Sequence, residues 1–328
     1  MSTTVRLGGV RRGPVTTRTR SRDRYGDALL RTLCTAAALL ALVVIVGIVY
    51  QVIHGAHESI SHFGLGFVTS TAWDPQSSGR LGAGTFLFGT AVTSVATLFL
   101  AVPLGVAIGL YLSTIAPRRV SGVIGPLVEM LAAIPSVILG FWGILVLGPF
   151  VRSHLEPFLH DTLGVLPIFG APQTTGTGLF TATLILTIMV LPIVASISRD
   201  LFATVPHELQ DGATALGATR WEMVRGVILP STASGVAAAS FLGLGRALGE
   251  AIAVTEVVGA GSQIHASLFL PGDTLASRIA DQYPGATTKL LIASLFYLGV
   301  ILLLIELLTN VAAQLIARRF DVGRALAR

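Results

Sequence analysis

Two ionisable residues of opposite charge, Arg246 and Glu250, stand four residues apart in the run GRALGE, inside a long apolar segment. An ionised side chain at the centre of a bilayer costs about 3 kcal/mol, so each needs a partner or a role. At i and i+4 they share a helix face, which allows a closed ion pair that holds a helix bundle together. The planar guanidinium of Arg246 also suits a tetrahedral oxyanion, with Glu250 tuning it. Both interpretations stay open.

The polar loop 199–226 lies between two strongly apolar segments and is long enough to need its own structure. Pro206 suits a first helical position, where its missing N–H loses nothing. Gly217 can end that helix in a left-handed conformation. Between them, apolar residues at i, i+4 and i+7 predict one narrow apolar face: Leu209, Ala213 and Leu216.

A second helix is predicted immediately after the first. Thr219 and Glu222 have capping-box spacing, so the hydroxyl can accept from an early N–H while the carboxylate accepts from the N–H of the cap. This helix should run on into the next apolar segment. The alternative is a solvated loop that is capped for stability alone.

The loop resembles the cytoplasmic coupling loop of permeases of binding-protein-dependent ABC importers, whose pattern is E-A-A, three residues, G, nine residues, I-x-L-P. Asp211 replaces the Glu, Gly212 the first Ala and Val227 the Ile. Glycine in a helix costs about 1 kcal/mol relative to alanine, so we expect this helix to be soft until docked. The resemblance implies docking in a groove of an ATPase subunit through Glu208, Asp211, Gly212, Ala213, Gly217, Thr219 and Pro230.

Composition indicates a membrane protein, because 52% of the residues are hydrophobic and only 12% are charged. A single cysteine, Cys34, excludes an internal disulfide and a cysteine metal cluster. The net charge of +5 comes from basic residues beside apolar segments, which points to membrane orientation rather than to nucleic acid.

The N-terminal region divides into three parts. Residues 1–28 are arginine-rich and are predicted to form a disordered cytoplasmic tail near anionic lipid headgroups. Residues 29–53 are predicted to form a retained first transmembrane helix, and residues 54–84 an extracytoplasmic segment. That segment contains three histidines without a fourth ligand or an acidic partner at fixed spacing, so we prefer juxtamembrane histidines to a metal site: His54, His57 and His62.

Six spans are expected in total, with a permease core at 85–317 and a basic cytoplasmic tail at 318–328. The remaining five fall at about 86–115, 123–150, 179–197, 227–258 and 290–316. If the N-terminus is inside, 17 of the 22 basic residues are cytoplasmic, which orients both termini and the loop 199–226 toward the cytosol. Small residues such as those of 235–245 predict close helix packing, and prolines in or beside spans predict bends.

Two further carboxylates lie in or near predicted spans. Glu129 stands about 9 Å into the predicted third span, at 1.5 Å per residue, where it is expected to snorkel toward the cytoplasm or to pair with a partner subunit. Glu256 is expected to face the interface at the outer end of the fifth span.

Shorter runs resemble the PstC type of phosphate permease: FGLGFVTSTAWDP from Phe63, LAAIPSVILGFWG at 131–143 and FLPGDTLASRIADQY at 269–283. RALGE also occurs in sulfate and molybdate permeases, so it does not choose the anion. The resemblance implies an all-α inner-membrane subunit of the six-helix, MetI-like permease fold, with a cytoplasmic coupling helix-turn-helix and Arg246 and Glu250 on the substrate path. It also implies a PstA-like second permease, a PstB-like ATPase dimer and a PstS-like phosphate-binding protein.

Several catalytic motifs are missing from the sequence. It contains no G-x-x-x-x-G-K-[ST], and its only lysine, Lys289, lies at an outer membrane edge, so ATP and Mg²⁺ are expected on a partner ATPase and no cofactor on this chain. Neither HExxH nor G-x-S-x-G occurs, so we do not expect an enzyme. The alternatives are a permease for sulfate or molybdate, an ion-driven secondary transporter, and a purely structural or signalling membrane protein.

Overall fold

The computed structural model describes residues 20–76 and 79–319. In these residues, six helical segments are long and apolar enough to cross a membrane. We number them spans 1 to 6: Tyr25–Phe63, Gly84–Ile115, Ser136–Leu163, Leu179–Ala203, Arg220–Gly249 and Lys289–Ile316. The predicted all-α architecture with six spans is therefore confirmed.

The helices of the described chain, in order, are α1 Arg20–Phe63, α2 Gly66–Thr69, α3 Gly84–Leu110, α4 Arg118–Ala132, α5 Ser136–Trp142, α6 Gly148–Phe150, α7 Glu156–Leu163, α8 Leu179–Ala203, α9 His207–Ala215, α10 Arg220–Met223, α11 Leu229–Gly249, α12 Ile252–Val258, α13 Leu275–Gln282 and α14 Lys289–Arg319. Wider π-helical turns continue or join some of them, at Tyr111–Ile115, Gly143–Leu147, Val151–Leu155 and Val224–Ile228. Two short antiparallel strands, β1 Trp73–Asp74 and β2 Arg80–Leu81, pair with each other.

The chain forms two compact units, one ending at Gln51 and the other beginning at Val52. In the first unit, residues 20–28 belong to α1, although we expected them in a disordered tail. Helix formation is cooperative, so the long apolar helix extends back through its polar flank. Residues 1–19 and 320–328, which hold the rest of the predicted tails, lie outside the described residues.

Helix α8 is at the centre of the second unit. It packs most extensively on α3 and also contacts α4, α11 and α12. A Cβ added to Gly105 of α3 would lie 2.9 Å from Val194 of α8, so the backbones approach more closely than larger residues permit. Gly243 of α11 makes a similar approach, at 2.6 Å, to Val190. Small residues therefore let helices pack tightly where lipid supplies no hydrophobic drive, as the sequence predicted.

The third span differs from the prediction of 123–150. Residues 118–132 form the separate amphipathic helix α4, and span 3 begins only at Ser136. Pro135 explains the break, because a proline disfavours the helical conformation in the residue before it. Helix α4 ends at Ala132, with Ala133 as its C-cap. Span 3 then consists of α5, α6 and α7, joined by π-helical turns.

The fifth span also ends earlier than the predicted limit of 258. Helix α11 stops at Gly249, and Glu250 has an extended conformation with ψ 112°. Helix α12 then begins at Ile252 and packs against α5, α8 and α13. The apolar composition continues across this break, so hydropathy alone did not reveal it.

Two glycines of α11 allow a matched test of this packing. We expect Gly243→Val to reduce stability by about 1–3 kcal/mol, because its side chain would overlap Val190. A Cβ on Gly245 meets no atom within 4 Å, so Gly245→Val should be tolerated. Thermal unfolding of the purified chain in detergent measures the difference, and equal midpoints for the two variants would contradict the packing described.

Candidate coupling hairpin and substrate-path residues

The loop between spans 4 and 5 folds as the predicted helix-turn-helix. Helix α9 begins at His207, one residue later than expected, because Pro206 is the residue before the helix. Gly217 has φ +89°, the left-handed conformation predicted for the end of this helix. We call residues 204–223 the coupling hairpin.

A capping box starts the second helix of the coupling hairpin. The backbone N–H of Glu222 donates to Thr219 Oγ1 at 3.3 Å, and the backbone N–H of Thr219 donates to Glu222 Oε2 at 2.8 Å. Both bonds follow the predicted pattern and satisfy N–H groups that have no partner inside the helix. The position of α10 is thereby fixed by local chemistry.

An apolar cluster attaches the coupling hairpin to the spans. Its buried members come from the end of α8, from the turn that follows it and from the second helix: Phe202, Val205, Met223, Val224 and Ile228. Val106 and Leu110 of α3 pack against it, as does the half-buried Ala213 of α9. The cluster therefore connects the hairpin to α8, α3 and span 5 by direct packing.

The predicted apolar face of α9 is divided in the structure. Ala213 turns toward the cluster, whereas Leu209 and Leu216 are exposed, Leu216 to 91%. The other proposed coupling residues of the hairpin are exposed too: Glu208, Asp211, Gly212, Gly217 and Thr219. The two exposed leucines beside these polar groups form a candidate surface for a partner. We call the outer face formed by Leu209 and Leu216 the leucine surface.

A single continuous helix leads from the coupling hairpin to the GRALGE run. It extends from Arg220 to Gly249, with a π-helical turn at Val224–Ile228 followed directly by Pro230. Proline is tolerated there because it lies at the start of α11. At 1.5 Å per residue, Arg246 stands about 39 Å from Arg220. Span 5 therefore connects the hairpin mechanically to the far side of the bundle.

Arg246 and Glu250 do not form the i, i+4 ion pair that the sequence allowed. Because α11 ends at Gly249, Glu250 leaves the helix face, and its Oε1 accepts from the backbone N–H of Ala253 at 3.3 Å. Arg246 is exposed and makes no side-chain hydrogen bond or ion pair with any residue that the structure describes. The guanidinium is therefore available to another group.

Glu129 has a partner within its own chain. Arg199 Nη2 lies 2.7 Å from Glu129 Oε1 and 2.8 Å from Asp200 Oδ1, which joins α4 to the end of α8. The expected depth of Glu129 in a third span was wrong, because α4 precedes that span. Pairing with a partner subunit is not needed to neutralise it.

A buried ion pair at the start of α13 was missed by sequence reasoning. Asp273 and Arg278 have side chains that are 2% and 5% exposed, and Arg278 Nε lies 2.8 Å from Asp273 Oδ2. The N–H does not point at that oxygen, so this is an ionic contact without hydrogen-bond alignment. The Arg278 guanidinium also lies 4.6 Å from the ring centre of Phe86. A signal was present in the capping spacing of Thr274 and Ser277.

Burial changes the acidity of this pair. It raises the pKa of Asp273 to about 6, although the Arg278 charge and hydrogen bonds from Ser277 and Thr274 act in the opposite direction. Desolvation is therefore the dominant effect on this carboxylate. Beside this ion pair, α13 is joined to α3 by a hydrogen bond: the backbone N–H of Leu275 donates to Thr90 Oγ1 at 2.9 Å.

Comparison with known sequences identifies the family. The profile of the family described as "Binding-protein-dependent transport system inner membrane component" matches residues 101–322, more than half of the chain. The chain belongs to this family. The matched range includes the coupling hairpin and Arg246.

Similar relatives are named as phosphate permeases. "Phosphate transport system permease protein PstC" of Mesorhizobium japonicum is 39% identical, over 90% of this chain and 91% of its own. The protein of the same name from Haemophilus influenzae is 39% identical, over 90% and 94%. "Phosphate transport system permease protein PstC 2" of Mycobacterium tuberculosis is 40% identical, over 90% and 92%.

Solved structures of ABC transporters share the fold of this permease. A bacterial alginate ABC transporter in complex with a pentasaccharide-bound periplasmic protein aligns with TM-score 0.58 and 16% identity, over 90% of this chain and 97% of that one. An inward-facing MetNI methionine transporter aligns with TM-score 0.53 and 19% identity, over 72% and 94%. At these identities the likeness establishes the fold, which is the MetI-like permease fold expected from the sequence.

The raised pKa of Asp273 predicts how stability depends on pH. The folded chain holds this proton more tightly than the unfolded chain, whose aspartate has its ordinary pKa of 3.8. The free energy of unfolding should therefore fall by up to about 3 kcal/mol as pH rises from about 4 to 6. Thermal midpoints across this range measure it. Asp273→Asn should flatten the profile while Asp161→Asn at an exposed position of α7 should not, and an equal slope in all three proteins would refute the assignment.

Proposed function

We propose that this chain is the transmembrane permease subunit of an ATP-driven phosphate importer in a bacterial plasma membrane. The observation that supports this most directly is Arg246, a guanidinium without a partner among the described residues, at the far end of the helix that begins in the coupling hairpin. Arginine presents a planar fork of N–H donors that matches phosphate oxygens, and its charge offsets that of the anion. The helix links this binding group to the part of the chain that faces the energy source.

The choice of phosphate among oxyanions rests on the relatives. RALGE alone is shared with permeases for sulfate and molybdate, so Arg246 does not distinguish them. Relatives at 39–40% identity over 90% of this chain are named as phosphate permeases. Phosphate is therefore the substrate that we assign to the path beside Arg246.

The leucine surface supports an ATPase partner. Two PstB-like ATPase subunits would each receive one coupling hairpin, and they would supply the ATP and Mg²⁺ chemistry that this chain lacks the motif to provide. Burying Leu209 and Leu216 in their grooves would remove apolar surface from water. The hairpin and both termini then lie in the cytoplasm, in agreement with the distribution of basic residues.

One face of α11 supports a second permease. The exposed residues on this face recur at helical spacing: Ala238, Leu242, Arg246 and Gly249. A face that combines a charge with small residues suits another helix rather than lipid. We assign it to a PstA-like permease, so that the path forms between two subunits, and a PstS-like binding protein delivers phosphate from outside.

Transport then follows from coupling. ATP-driven closure of the ATPase pair moves α9, and the helix from Arg220 to Gly249 transmits the displacement through the π-helical turn before Pro230. Outward and inward openings alternate around Arg246. ATP shifts the equilibrium only because the ATPase pair binds it with different affinity in the two states.

Replacing Arg246 tests the path. We expect Arg246→Ala to lower phosphate uptake by about 10- to 100-fold, because a charged hydrogen-bond donor to the anion is lost. Uptake of labelled phosphate, normalised to assembled transporter, is the measurement. Arg119→Ala, which removes an exposed arginine at the start of α4, is the matched control and should retain uptake. Unchanged uptake in Arg246→Ala would refute the proposed role.

The same assay separates the rival functions. Competition by unlabelled sulfate or molybdate at concentrations where phosphate competes would favour the other oxyanion permeases. Uptake by the purified chain without an ATPase, driven by an ion gradient, would favour a secondary transporter and refute an ABC importer.

The leucine surface gives a test of the ATPase partner. We expect Leu216→Ser to reduce the ATPase that co-purifies with the chain and to lower uptake, while the thermal midpoint of the isolated chain stays the same, since the side chain is already 91% exposed. Leu65→Ser is the control, because Leu65 is 84% exposed in the extracytoplasmic segment. Full ATPase recovery with Leu216→Ser would place the docking surface elsewhere.

A further inference from the structure

The last span contains a carboxylate that the functional assignment leaves unexplained. Glu306 lies within span 6, is half-buried, and its side chain makes no hydrogen bond or ion pair with the described part of the chain. Ionisable residues in a membrane span are costly and usually pair with one another or contact the transported species. The surroundings of Glu306 therefore indicate what it does.

Glu306 faces the GRALGE run of span 5. Helix α14 packs along α11, and Glu306 Oε1 lies 3.1 Å from the position that a Cβ on Gly249 would occupy. The carboxylate therefore rests against the backbone at the end of α11. Glycine leaves the space that the carboxylate uses at this position.

Arg246 stands one turn before Gly249 on the same side of α11. Residues at i and i+3 have Cβ positions about 5–6 Å apart, so the Glu306 carboxylate lies within about 9 Å of the Arg246 Cβ. An extended arginine side chain and one hydrogen bond cover such a distance. Arg246 is exposed and its side chain has no hydrogen bond or ion pair with the described residues, so it can turn toward Glu306 without breaking a polar contact.

The neighbouring carboxylates are engaged elsewhere. Glu250 accepts from the first turn of α12, and the side chain of Glu256 packs on Gly140 of span 3, where a Cβ would lie 3.2 Å from Glu256 Cγ. Among the acidic residues of α11, α12 and α14 and of the junction at Glu250, Glu306 is the one that remains for Arg246.

We propose that Glu306 is the internal counter-charge of Arg246: it pairs with the guanidinium when the path is empty, and phosphate displaces it. Glu306 is thus a positioning residue, and this inference rests on the proposed role of Arg246. Return of Arg246 to Glu306 competes with the bound anion and so drives its release. Pairing also spares the empty path an isolated charge in the bilayer.

A double-mutant cycle tests the pairing without measuring transport. The complete transporter is purified with no substitution, with Arg246→Gln, with Glu306→Gln and with both. Each single variant should lower the thermal midpoint, because it leaves one charge unpaired, and the double variant should recover at least about half of the summed loss. If the double variant loses the sum of the two single-variant decreases in thermal midpoint, the inference is overturned. Glu256→Gln, combined with Arg246→Gln, is the control that should add.

Transport kinetics test the release step. We expect Glu306→Gln to lower the maximal uptake rate per assembled transporter about tenfold, with the half-saturating phosphate concentration unchanged or lower, because the anion stays longer on Arg246. Glu306→Asp should restore part of the rate. An unchanged rate, or a rise only in the half-saturating concentration, would overturn the inference. If Arg246→Ala abolishes uptake and the cycle is additive, this inference fails and the proposed function stands.

Discussion

The cost of placing a charge in hydrocarbon constrains this chain more than any other interaction. Three arginines in or near the spans differ in how their charges are neutralised. Arg199 is paired with Glu129 and Asp200 at one membrane edge, and Arg278 is paired with Asp273 in a buried contact beside Phe86. Of these three arginines, Arg246 is the one without an ionic partner in the described chain. The proposed function gives this charge a ligand, the phosphate anion.

Span 5 joins Arg246 to the coupling hairpin through one continuous helix. A capping box fixes where its helix begins, and an apolar cluster around Phe202 and Ile228 attaches that beginning to α8 and α3. Close contacts at Gly243 hold the later part of the helix against α8. Because both ends of this helix are packed against other helices, one end can move relative to the other only if the helix bends between them. The π-helical turn at Val224–Ile228, followed by Pro230, is such a place.

Sequence reasoning recovered the features that depend on local chemistry. The left-handed Gly217, the Thr219–Glu222 box and the six apolar spans each follow from a few neighbouring residues. The errors arose where tertiary structure decides. Apolar composition continues across Pro135 and across Glu250, so hydropathy merged α4 with span 3 and α12 with span 5. The predicted Arg246–Glu250 ion pair is absent for the same reason, since residues at i and i+4 share a face only while the helix continues.

The partners of buried charges could not be derived from the sequence, because they come from distant elements. Arg199 and Glu129 are separated by 70 residues, and Glu306 meets Gly249 only because α14 packs along α11. The break at Glu250 links these facts. It withdraws the carboxylate that helical spacing would have given Arg246, and it leaves the end of α11 open to a residue from another span. An arginine held by a neighbour in its own helix would move with that helix, whereas one held by another span changes partner when the spans shift. The proposed exchange of Arg246 between Glu306 and phosphate uses the second arrangement.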